Sequence, residues 1–177
     1  VSPLLNLTDN EQVDFEYDAI PSGKYWAEIF DADERETKGS EGSKLPKGTP
    51  MIWTHWKILG RVGEDDGPGE SHEDSEYYNR RVFRTLVVPP AKINGKAYEH
   101  YKKMNGQIVR FLVAIGYSEA DVTGGNFELD TNDLVERRAV LSVKKKLKRG
   151  TDDEYDNEVS GFRSLADVAS ASESGLL

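Results

Sequence analysis

Cysteine is absent from the 177 residues. That excludes a disulfide framework, a Cys-ligated zinc site and a thiol nucleophile. It also fits a reducing compartment. No window approaches about 18 consecutive apolar residues, so no membrane span is expected. The opening Val1-Ser2-Pro3-Leu4-Leu5-Asn6 has neither a basic region nor an apolar core, so no signal peptide is expected. Histidine is scarce: His55, His72 and His100 lie far apart, without HExxH or comparable spacing, and no metal site or cofactor is expected. There is no GxxxxGK[ST] phosphate loop and no GxSxG nucleophile elbow. The carboxylates of 63–76 (Glu64, Asp65, Asp66, Glu70, Glu73, Asp74, Glu76) lack the ordered spacing of a calcium loop and read as a charged, flexible connection. No enzymatic activity is therefore expected.

Apolar residues are also few, 37% against 31% charged. The usual apolar share is about 45–50%, so a small core with large solvated loops is expected. The net charge of −9 is distributed unevenly. Residues 1–77 carry 7 basic and 18 acidic side chains, a balance of −11; residues 78–149 carry 15 and 7, a balance of +8; residues 150–177 carry 1 and 7, a balance of −6. A basic middle between acidic flanks can attract a polyanion locally even though the whole chain repels one.

Residues 1–18 read as an extended N-terminal segment. After the Pro21-Ser22-Gly23 turn, Lys24 to Ala32 reads as a first strand. Residues 37–50 are a Gly/Pro/Ser loop. Met51 to Val62 reads as a second strand, with Ile52, Thr54, Trp56 and Ile58 on the core face and Trp53, His55 and Lys57 on the other. Tyr77 to Val88 reads as a third. Residues 97–115 read as the one good helix, its apolar positions at i, i+3, i+4 spacing, with Gly116 as cap and Asn105-Gly106 as a weak point where it could divide. Residues 134–148 read as a fourth strand, with Val135, Ala139, Leu141, Val143 and Leu147 inward and Arg138, Ser142, Lys144, Lys146 and Lys148 outward. Asn157 to Phe162 reads as a short closing strand. From residue 164 the chain is Ala/Ser-rich and reads as a disordered tail.

The expected class is therefore mainly β. A helix between the third and fourth of five antiparallel strands points to a five-stranded OB-like barrel over 19–163, with flexible acidic loops and the tail 164–177. Single-strand binders combine a cationic groove with aromatic faces on which bases stack. The candidates for that role are Trp53, His55, Lys57, Tyr77, Tyr78, Arg80, Arg81, Phe83, Arg84, Arg138, Lys144, Lys146 and Lys148. Each aromatic could instead pack in a core and each cation could simply be solvated. Core packing is expected for Trp56, Trp26 and Phe30. Sequence preference is expected to be weak, because every base has a π-face.

Ala19-Ile20-Pro21-Ser22-Gly23-Lys24-Tyr25-Trp26-Ala27-Glu28-Ile29 resembles the IPxGxYxxxI opening of small phage-encoded single-stranded-DNA-binding proteins and related conserved phage proteins. Phe111-Leu112-Val113-Ala114-Ile115-Gly116 is similar to the FLxAxG of that group, and Asn157-Glu158-Val159 to its terminal NxV. The resemblance implies an OB-like fold and single-stranded DNA binding in phage replication or recombination, in the bacterial host cytoplasm. Replication or recombination proteins would be further partners. It names no individual DNA-contacting residue. The oligomeric state stays open, a dimer included. The alternatives are a protein-interaction accessory module of the same machinery and a phage structural protein.

Overall fold

In the computed structural model, residues 19–64 and 74–168 are described. The expected N-terminal segment 1–18, the centre of the acidic loop (65–73) and residues 169–177 of the expected tail lie outside them. Strands form where β-branched and aromatic residues alternate with polar ones. They are β1 (Gly23–Glu36), β2 (Pro50–Arg61), β3 (Arg81–Val87), a two-residue pair β4 (Lys92–Ile93) and β5 (Lys96–Ala97), then β6 (Arg138–Leu147) and β7 (Tyr155–Arg163). Between β5 and β6 come α1 (Tyr101–Ala114), α2 (Glu119–Thr123) and a 3-10 turn (Thr131–Leu134).

The five long strands form one antiparallel sheet in the order β3-β2-β1-β6-β7. The two end strands, β3 and β7, lie against one another, which nearly closes the sheet into a barrel. With α1 falling between the third and fourth long strands, this is the expected OB-like arrangement.

The core sits inside that curl. Trp56 is fully buried, with ring centroids 6.2 Å from Phe111 and 5.9 Å from Phe162. Its Nε1–H donates to Thr54 Oγ1 at 2.9 Å, and the Thr54 hydroxyl in turn donates to the Arg84 carbonyl at 2.8 Å. A buried indole thus keeps its polar atom satisfied. The expected inward set Ile52, Thr54, Trp56 and Ile58 is buried as read. From α1, Phe111, Leu112, Ala114 and Ile115 join the same core.

Several boundaries differ from the sequence reading, each for a local reason. The third strand starts at Arg81 rather than Tyr77, because Tyr77 to Arg80 forms a turn in which Asn79 adopts left-handed backbone (φ 66°). The helix starts at Tyr101 rather than 97, because Asn94 and Gly95, both at positive φ (52° and 78°), make the two-residue turn of the β4–β5 hairpin. It runs unbroken through Asn105-Gly106. It ends in a Schellman pattern, with Gly116 (φ 108°) donating to the Val113 carbonyl and Tyr117 to that of Leu112. The fourth strand starts at Arg138, residues 131–134 being the 3-10 turn with Leu134 buried. Its inward face ends at Val143: Leu147, expected in the core, is 50% exposed, since this end of β6 runs on with β7 as a hairpin. The fifth strand is longer than read, Tyr155–Arg163.

The tail departs most. Residues 165–168 are helical, and Val168 is fully buried against Trp26, Leu59 and Val140, with Leu165 beside it. This second, smaller apolar cluster lies on the outer face of the sheet, opposite the main core.

Candidate nucleic-acid interface

A bulge in β1 decides what the outer face carries. Ile29 stands opposite Trp56, and the next paired residue, Asp31, stands opposite His55, so Phe30 is an extra residue. Plain alternation from Ile29 would send Asp31 inward and Ala32 outward. The bulge sends Asp31 out beside Phe30 and lets the small Ala32 bury itself. Phe30, expected in the core, already alternates outward from the buried Ile29 and is 52% exposed.

Cross-strand pairing then gathers rings from three strands. His55 of β2 is opposite Phe83 of β3, and their centroids are 4.4 Å apart at 26°. Trp53 lies 5.8 Å from Phe83 at 27° and 5.8 Å from His55. Phe30 meets the edge of His55 at 5.3 Å. Two guanidinium groups bracket the rings. Arg35 Cζ is 3.9 Å from the Trp53 ring centroid, and Arg81 Cζ, reaching across β2, is 3.9 Å from that of Phe30.

The next row of the same face is Arg81, Lys57, Glu28 and Arg138. Glu28 is held from both sides, by Arg138 Nε at 2.8 Å and Lys57 Nζ at 3.8 Å. Further along β1, Asp31 stands opposite His55 and Asp33 opposite Trp53. Four cations (Arg35, Lys57, Arg81, Arg138) therefore share this face with three carboxylates (Glu28, Asp31, Asp33). The face is aromatic and only mildly positive.

Of the thirteen residues singled out from the sequence, this face brings together Trp53, His55, Lys57, Arg81, Phe83 and Arg138. The others do not join the ring cluster. Tyr77 packs edge-on against Tyr25 at 5.4 Å, on the main core. Tyr78 packs against the Trp26 cluster, with Lys57 Nζ 5.9 Å from its ring. Arg80 is half-buried in the turn before β3, its carbonyl accepting from Ile58 N–H at 2.8 Å. Arg84 alternates away from Phe83, opposite the buried Thr54, with Nη2 3.5 Å from Gln107 Oε1 of α1.

Lys144, Lys146 and Lys148 do share one side of β6, on the hairpin beyond the Trp26–Val140–Val168 cluster. There they face acids of β7 and its turn: Lys146 pairs with Glu158, and Lys148 Nζ is 3.7 Å from Glu154. The hydrogen bond from Lys146, aided by the charges of Arg84 and Lys144, holds the Glu158 carboxyl below the usual carboxylate range. A phosphate approaching these lysines has to compete with carboxylates already in place. Conversely, Arg35, Asp31, Asp33 and Glu28 belong to the ring-bearing face although the sequence did not single them out, and Phe30, read from the sequence as core, belongs to it as well. Arg35 was hidden because the first strand runs to Glu36, four residues past the expected end.

Tyr25, under the sheet on the core side, is buried, and its hydroxyl donates to the Pro21 carbonyl at 2.7 Å. Burial pushes this phenol up to about 12, against the lowering effect of nearby Arg61. Its neutral form is the one the fold favours. The stability it contributes is fully present below about pH 10 and is lost as pH rises through about 12. A tyrosinate absorbance titration is expected to show a late component that coincides with the onset of alkaline unfolding and is missing in Tyr25→Phe. A tyrosinate curve identical in the two proteins would refute this.

Among the described residues, no group of three or more His, Asp or Glu side chains converges in a way that could hold a metal ion, and no helix is long and apolar enough to cross a membrane. The sequence matches no protein-family model and no curated protein. The likeness to phage single-strand binders stands on its short motifs alone.

Proposed function

We propose that this chain is a non-enzymatic, OB-type single-stranded-DNA-binding protein acting in phage DNA replication or recombination in the host cytoplasm. One observation carries the reading: rings from three neighbouring strands (Phe30, Trp53, His55, Phe83) sit together on the outer face of a near-closed barrel, bracketed by Arg35 and Arg81. Exposed aromatics of this kind supply base stacking, and flanking cations supply phosphate contacts. Lys57 and Arg138 are the nearest phosphate contacts. Lys144, Lys146 and Lys148 extend them if the strand displaces their carboxylate partners.

Of the three tryptophans, Trp26 and Trp56 are buried and Trp53 is only partly so. Intrinsic fluorescence therefore reports chiefly on this face. Titrating the full chain with a mixed-sequence single strand at several salt concentrations should quench the signal. The quenching should weaken as salt rises and be much smaller with duplex. No quenching and no binding at low salt would reject the reading.

The three carboxylates among the cations favour a second reading, a protein-docking face of the replication or recombination machinery. Trp and Arg at the centre of a patch are what such interfaces use. Retention on single-stranded DNA resin at about 100 mM salt separates the two, since a docking module flows through.

A further inference from the structure

We infer that Arg35 is a base-stacking residue and not a phosphate counter-ion, with Asp33 as its positioning partner; this rests on the single-strand reading above. Arg35 lies over the ring of Trp53, its guanidinium carbon 3.9 Å from the indole centroid. Trp53, Phe83 and His55 form a triangle, with centroids 5.8 Å apart for Trp53–Phe83, 4.4 Å for Phe83–His55 and 5.8 Å for Trp53–His55. The indole face under Arg35 is covered, so a base that stacks there without displacing the side chain rests on the guanidinium. A guanidinium is planar and weakly hydrated, so one side can rest on an indole while the other receives a base. The Arg35 side chain is 47% exposed, which leaves that outer side accessible.

Its charge, by contrast, is poorly placed for phosphate. Asp33 Oδ2 lies 3.8 Å from Arg35 Nε, two residues back on the same strand face. The carboxylate holds the guanidinium at its edge and repels an approaching phosphate. The same device recurs at the other side of the cluster, where Arg81 lies over Phe30 and its Nη2 donates to Asn79 Oδ1 at 3.0 Å. An arginine pinned at its edge by an oxygen and laid over a ring is arranged as a surface.

Arg35→Lys tests this, because it keeps the charge and removes the plane. Binding of a mixed-sequence single strand should weaken about 5- to 20-fold, with an unchanged slope of log affinity against log salt. On an abasic strand of equal length, which keeps the phosphates, Arg35→Lys and the parent should bind alike. Asp33→Asn should weaken binding to the base-bearing strand while leaving the abasic strand bound as well or better. A matched urea midpoint for Arg35→Lys checks that the fold is intact. Affinity within about twofold of the parent, or an equal loss on both strands, would make Arg35 a counter-ion or a bystander and overturn the inference alone. If the parent binds neither strand, the single-strand reading falls and this inference with it.

Discussion

Replacing Trp53 and Phe83 together by alanine is expected to weaken single-strand binding roughly 100- to 1000-fold. Each stacked base is worth about 1–3 kcal/mol, and removing these two rings takes away two of the three rings of the Trp53–Phe83–His55 cluster, including the one on which Arg35 rests. Because the two rings lie 5.8 Å apart, their single replacements should couple rather than add. Either one alone should already cost much of the total. The barrel should survive, since Phe83 is 40% exposed and Trp53 only partly buried. The salt dependence should hardly change, because no cation is removed. It should also be shallow in the parent, about −1 to −3 in log affinity against log salt, given three carboxylates among four cations on the face. Anisotropy of a labelled oligonucleotide measures both quantities without relying on the tryptophan signal. A loss under about threefold for the double variant would move the binding site off this face, and the β6–β7 hairpin would be the next place to look.

How far such a face can be read from sequence depends on what sets each residue's direction. In β2 the two faces are legible because residues 51–58 alternate and both bulky sets are distinct, Ile52, Thr54, Trp56 and Ile58 against Trp53, His55 and Lys57. In β1, alternation from the buried Ile29 already turns Phe30 outward, against its reading as core, whereas Asp31, Asp33 and Arg35 reach the outer face only through the bulge. A bulge is a property of two strands at once, and β1 gives no sign of where β2 will slip against it. The lysines of β6 show the complementary limit. Their common side follows from alternation, but their neutralisation by Glu154 and Glu158 depends on a partner strand in antiparallel register. Arg84 was grouped with Phe83 by proximity in sequence, although neighbours in a strand face opposite ways. The helical turn at 165–168 follows an Ala/Ser-rich composition that suggests disorder; Leu165 and Val168 are ordered by a tertiary surface, Trp26, Leu59 and Val140, that the tail's own composition does not mention. Asn94-Gly95 is different, because this dipeptide is a strong local hairpin signal and was available to be read.

Trp56→Ala is expected to cost about 3–5 kcal/mol of stability, a large part of the total of about 5–15 kcal/mol typical of a domain. The side chain is fully buried at the meeting point of β2, α1 and β7, in contact with Phe111 and Phe162. Removing it leaves a cavity lined by rings that are themselves anchored on different elements, so collapse around the gap is difficult. It also frees the Thr54 hydroxyl of one partner, although that group keeps its bond to the Arg84 carbonyl. Trp56→Phe separates these effects. It restores most of the volume and loses only the indole N–H, so about 1–2 kcal/mol is expected. Urea melts should show the midpoints falling in the order parent, Phe variant, Ala variant, with similar slopes. Because Trp56 and His55 are sequential and face opposite sides, the two kinds of variant divide cleanly: Trp56→Phe should bind single strands as the parent does wherever it remains folded. If it instead lost affinity at full helical and sheet content, the inner and outer faces of β2 would be mechanically coupled. The ring cluster would then have to be regarded as a product of core packing rather than of cross-strand pairing on its own face.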